Sequence, residues 1–171
     1  MQPIKSTAEI LMSKILNHNI NKIWIDWATD MLVAGFDTEK LRILAGETEP
    51  INQFYAQNLA EQILAELGID YSDKEQITKN YVSFLIGKSL NGEISNLRAL
   101  EKLERLYVEL DYYEIVDRPH EDLYDFYLLS NAKSALLGSD MQWYWRKDDL
   151  TKDNIDEFIH EYFKQYLSKQ N

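Results

Sequence analysis

The sequence predicts an all-α fold, a single-domain bundle or array of about seven to nine mostly antiparallel helices over residues 1–171. Three observations predict it. Apolar residues recur at steps of three and four along most of the chain, the spacing that gathers them on one helix face. No segment alternates strictly between apolar and polar residues over the length of a strand. Glycines fall where the apolar runs stop, at Gly35, Gly46, Gly68, Gly92 and Gly138, and glycine ends a helix cheaply because it enters the left-handed region without a Cβ clash.

The elements follow in order. The first helix carries Ala8, Leu11, Met12, Ile15 and Leu16, with His18 at its end, where an imidazolium suits the helix dipole. Ile20, Ile23, Trp24, Trp27, Met31 and Ala34 mark the second. A short third helix runs from Thr38 to Ala45, with Asp37 or Thr38 as its cap. Its Leu41, Leu44 and Ala45 face inward, and Arg42 is placed to pair with a carboxylate and fix the corner. Ile51, Tyr55, Leu59, Ile63 and Leu67 step by four after Pro50. The next helix starts behind Ser72 or Asp73 and carries Ile77, Tyr81, Phe84, Leu85 and Lys88. Gly87 lies inside it, where glycine costs about 1 kcal/mol against alanine, so close helix packing is expected there.

Ser95 caps a helix with Leu97, Leu100, Leu103, Tyr107 and Leu110. Leu123, Phe126, Tyr127, Ser130 and Ala132 lie on one that is apolar nearly all round and is expected to be central. The strongest stripe is the last: Ile155, Phe158, Ile159, Tyr162, Phe163, Tyr166 and Leu167. Residues 139–153 are the least regular, and an irregular excursion or hairpin with Trp143 and Trp145 on one side is expected. No linker, low-complexity stretch or internal repeat divides the chain.

Residues Trp27 to Gly46 read W-A-T-D-M-L-V-A-G-F-D-T-E-K-L-R-I-L-A-G. They are followed by a helix ending A-E-L-G-I, a helix with Tyr81, and N-G-E-I leading into a leucine-rich helix. This pattern resembles a group of small bacterial all-helical proteins, over roughly residues 20–130. The resemblance implies a bacterial origin and a helical fold. It implies no activity and transfers no site.

Composition narrows the function. The 171 residues hold 29 acids against 18 Lys and Arg, a formal charge of −11, and no cysteine. Without cysteine this chain has no disulfide, no Cys-ligated zinc or iron–sulfur cluster and no thiol nucleophile. The acidity disfavours nucleic acid and anionic membranes, which need clustered cations. The first residues are amphipathic, unlike the continuous apolar core of a secretion signal, and nowhere do about 18 apolar residues run together. A cytoplasmic chain is expected.

Chemistry-bearing motifs are sparse. His120 begins H-E-D-L-Y, but Tyr124 stands where a zinc protease needs its second His. Glu157 and His160 form one Glu-x-x-His step, where a di-iron bundle needs two plus two further Glu. There is no G-x-S-x-G elbow and no Gly-rich phosphate loop. No cofactor is expected, and no set of acid, base and nucleophile converges. Gln142 to Lys147, Q-W-Y-W-R-K, sets bases beside aromatics, but packing of its tryptophans outweighs nucleic-acid stacking in so acidic a chain.

The stretch Tyr107–Tyr127 stands apart. It concentrates seven acids against Arg118 alone, with Tyr107, Tyr112, Tyr113, Tyr124 and Tyr127. Tyrosine joins a large contact area to a polar tip, and acids steer encounter with a basic partner. Glu109, Asp111, Tyr112, Tyr113, Glu114, Asp117, Glu121, Asp122, Tyr124 and Asp125 are therefore the candidate partner-binding residues. The reading expected from these features is a non-enzymatic inhibitor of a basic protein, of the bacterial immunity or antitoxin kind. The alternative is a helical-bundle enzyme or small-ligand-binding protein with an unidentified pocket; one lined by Trp24, Trp27 and tyrosines, with a buried carboxylate or His160 pointing in, would favour it.

Overall fold

A computed structural model describes residues 3–116, 121–138 and 150–170. Among them the chain forms eight α-helices and no strand: α1 Thr7–Ile15, α2 Lys22–Val33, α3 Glu39–Ala45, α4 Gln53–Glu66, α5 Lys74–Leu90, α6 Asn96–Tyr112, α7 Glu121–Gly138 and α8 Ile155–Gln170. The all-α expectation holds. The helices group into two compact units, Met1–Tyr81 and Val82–Asn171, with the boundary inside α5. No helix among the described residues is long and apolar enough to cross a membrane. Trp143, Trp145 and nearly all of the expected excursion, like His120, lie outside the described residues.

Local chemistry sets the helix starts. Asn21, Thr38, Asn52 and Ser95 each accept a hydrogen bond from a first-turn amide, satisfying a donor the helix itself leaves open. Asp73 does the same for Gln76 at 2.9 Å. The expected corner pair forms as a two-pronged contact, with Arg42 Nε and Nη2 donating to Asp37 at 2.7 and 2.6 Å. It holds the Asp37 carboxyl below its ordinary pKa through those hydrogen bonds.

The helix ends revise the glycine reading. Gly35, Gly68 and Gly92 do take positive φ, and the next residue's amide reaches back to close each last turn. Gly46 instead closes α3 at φ −90°, and Gly138 is the last residue of α7. Asn17 (φ 54°) and Glu114 (φ 49°) take the left-handed position at the other two such ends.

In the first unit, α1 packs on α2, α2 on α3 and α3 on α4. Trp24, Trp27, Met31, Leu41, Leu44, Ile63 and Leu64 fill its core. The two indoles meet edge to face with ring centroids 6.0 Å apart. Their N–H groups donate to Ser13 Oγ at 3.1 Å and Thr7 Oγ1 at 3.0 Å. That bond explains why the polar Thr7 is buried. Strict four-residue steps overshoot the 3.6-residue turn, so the inward face of α4 is Ala56, Leu59, Ala60, Ile63 and Leu64, while Tyr55 is exposed.

In the second unit, α6 packs along both α7 and α8. The helix expected to be central, α7, keeps Tyr124, Ser134 and Leu137 exposed. α6 and α7 run antiparallel: Glu101 pairs with Lys133, Glu104 with Ser130, and Tyr107 with Tyr124 and Tyr127. Phe126 meets Tyr162, Phe163 and Tyr166 of α8 in edge-on contacts, ring centroids 5.4 to 5.8 Å apart. Lys133 is buried, and its ammonium escapes an unpaired interior by donating to Glu101 at 3.1 Å.

Gly87 departs from expectation. A Cβ built on it meets no described atom within 4 Å, so close packing does not explain it. Gly87→Ala should therefore stabilise the chain by about 0.5–1 kcal/mol, because alanine loses less backbone freedom in a helix. A higher urea midpoint at unchanged slope is the expected readout; an unchanged or lower midpoint would contradict it.

Candidate functional site

Five of the ten candidate residues lie where α6 ends. Glu109, Asp111 and Tyr112 lie in its last turn, Tyr113 is its C-cap, and Glu114 follows. Backbone amides close that end. Glu114 N–H donates to Asp111 O at 3.2 Å, and Ile115 N–H to Leu110 O at 3.1 Å. This closure needs positive φ at Glu114, a conformation that glycine or asparagine usually supplies.

Two features of this end oppose helix stability. A non-glycine residue in the left-handed region costs roughly 1–2 kcal/mol. Carboxylates at a helix C-terminus also face the negative end of the macrodipole, and no basic residue occupies the last turn of α6. Glu114→Gly should thus raise stability by about 1 kcal/mol. Thermal unfolding of the two chains side by side checks it, and a lower midpoint for the variant would count against the strain.

The tyrosines divide into two groups. Tyr112 and Tyr113 are 77% and 57% exposed and meet edge-on, ring centroids 4.9 Å apart. Tyr124, on α7, is also exposed and stacks on Tyr127 at 6.2 Å. Tyr107 and Tyr127 are half-buried between the helices and carry Tyr124 on their rings. Burial, and then the nearby Asp111, push the Tyr107 phenol above its ordinary pKa. Val108, which the sequence reading passed over, adds an exposed apolar side chain to α6. Its place one turn before Tyr112 was the available signal.

The acids also divide. Asp111 and Glu114 are exposed. Glu109 is half-buried and accepts from Arg105 Nε at 2.9 Å, which offsets its charge. Asp125 accepts the Tyr162 hydroxyl at 3.1 Å, tying α7 to α8. Glu121 and Asp122 are the first two residues of α7. Asp117 falls outside the described residues. Asp111, Tyr112, Tyr113 and Glu114 are thus four consecutive exposed residues, whereas Glu109 and Asp125 have partners within the fold.

The other candidates resolve as follows. Trp24 and Trp27 are buried core, and both indole N–H groups have hydrogen-bond partners. His160 is half-buried on α8, next to the buried Ile159. No group of three or more His, Asp or Glu among the described residues is arranged to hold a metal ion. His18 is exposed, and its amide closes α1 by donating to Ser13 O at 3.0 Å.

Fold and site thus define an all-helical protein that presents exposed tyrosines among acids at one helix end. Compared with known protein families, curated proteins and solved structures, the chain matches none.

Proposed function

We propose that this chain is a non-enzymatic binding protein that covers a basic protein, in the manner of an immunity or antitoxin inhibitor, through the α6 end. One observation carries the reading: Tyr112 and Tyr113 stand out into solvent between Asp111 and Glu114, at a helix end where both the charge and the backbone conformation cost stability. A feature retained against its own folding cost is the kind that function maintains. The rings supply contact area at low entropic cost. The carboxylates steer a cationic partner and, against a nuclease, occupy the place of phosphate.

Capture by the immobilised chain from an extract of its source cells should recover a basic protein. Association should slow at least tenfold between about 50 and about 500 mM salt, as Debye screening shortens the reach of the acids. The double variant Asp111→Lys, Glu114→Lys should lose that salt dependence, whereas Glu47→Lys in the first unit should keep it. A captured partner that is acidic, or one indifferent to both changes, would end this reading. A reading frame for a basic protein beside the gene is the expected genomic context.

A further inference from the structure

The first unit contains a cavity of about 430 Å³ between the end of α1 and the segment that leads into α5. Its size falls within the range of about 300–1,000 Å³ typical of small-molecule sites. Ile15, Ile69 and Tyr71 give it an apolar wall, and Lys14, Asp70 and Lys74 bring charge to it.

The charges are not interchangeable. The Lys14 side chain is 11% exposed and donates to Glu61 Oε1 at 2.8 Å, so its charge is already matched. Asp70 is held in one orientation by Ser72, whose amide and hydroxyl donate to its two oxygens at 2.9 and 3.0 Å. These bonds keep its carboxyl below the ordinary pKa and therefore ionised. Each oxygen retains a further lone-pair direction. Lys74 makes no ion pair among the described residues, with Asp70 or any other acid. Asp70 and Lys74 are both exposed, so the mouth of this open cleft presents an oriented anion and a solvated cation that form no ion pair with each other, beside an apolar wall.

We propose that this cavity binds a small zwitterion, an α-amino acid with an apolar side chain. The ammonium of the ligand meets Asp70, its carboxylate meets Lys74, and its side chain lies against Ile15, Ile69 and Tyr71. The two ligand charges are fixed on one carbon, so a single small ligand offers a partner to each of two charges that form no ion pair with each other. An amine alone leaves Lys74 unmatched, and an acid alone sets a carboxylate beside Asp70. The site is independent of the tyrosine face in the second unit, and its failure leaves the protein-binding reading untouched.

The test is an NMR titration of the ¹⁵N-labelled full chain with L-leucine and L-phenylalanine. Phenethylamine and 3-phenylpropionate serve as analogues that each lack one charge. Saturable shifts centred on residues 14–15 and 69–74 are expected with the amino acids, and at least about tenfold weaker binding with either analogue. Asp70→Asn keeps an oxygen for the Ser72 amide but loses the charge, and Lys74→Gln keeps the helix start. Each should weaken amino-acid binding about tenfold without loss of helical circular dichroism. Absence of saturable shifts at millimolar amino acid would overturn the proposal. So would an analogue that binds as well as phenylalanine, or shifts centred elsewhere; the analogue series decides even where a variant folds poorly.

Discussion

Phe126→Ala should destabilise the second unit by about 3–5 kcal/mol, the usual cost of emptying a buried phenylalanine site. The ring is fully buried and is the meeting point of three aromatic side chains from α8. Removing it abolishes edge-on contacts with Tyr162, Phe163 and Tyr166 and leaves a void that rigid neighbours close only in part. Tyr162 is also anchored to Asp125 through its hydroxyl, so it is poorly placed to move into the gap. For a chain of this length the thermal midpoint should fall by about 10 °C. Hydrogen exchange gives the sharper readout, since amides of α7 and α8 should lose protection. A loss below about 1 kcal/mol would mean that the aromatic cluster does not hold this unit together.

Trp27→Ala should cost the first unit a similar 3–5 kcal/mol. It removes a buried ring, its edge-on contact with Trp24 and the partner of a buried hydroxyl. A double-mutant cycle separates these effects. Trp27→Phe keeps an aromatic ring but strands Thr7 Oγ1, which adds about 1–3 kcal/mol to the packing loss. Thr7→Val made in that background should then be close to neutral, because neither partner remains to want the bond. If Thr7→Val costs the same in both backgrounds, the indole–hydroxyl bond contributes nothing. Denaturant midpoints of the four chains supply the comparison.

Periodicity located the helices because burial, not intrinsic propensity, decides most helix positions. Capping chemistry was equally legible: Thr38 and Ser95 act where their side chains predict, and Arg42 finds Asp37. What sequence did not reveal was rotation about each helix axis. Ile10 is fully buried although the first apolar stripe omitted it, and Phe158 is exposed although the last stripe included it. A shift of one residue turns a helix by 100°, and only the neighbouring helices settle which side faces in.

The candidate site was legible as a concentration of acids and tyrosines, not as a surface. Sequence spacing places Tyr107 and Tyr112 in one stretch, yet Tyr107 lies half-buried against α7 while Tyr112 faces solvent. Nor does the sequence reveal that Asp125 is engaged by Tyr162 from a residue 37 positions away. The left-handed Glu114 was hidden for a simpler reason. Glutamate carries no local signature of that conformation, whereas the glycines at 35, 68 and 92 do.

The way the helices pair also bears on how fast the chain folds. α1 with α2, α2 with α3, α3 with α4, and α6 with α7 are all neighbours along the chain. Little loop must be closed before each of these pairs gains its contacts, whereas α6 and α8, which also pack, must wait for the last helix. During synthesis, α1 to α4 leave the ribosome with their partners already made. Their apolar faces can be hidden before the tyrosine-rich half of the chain emerges.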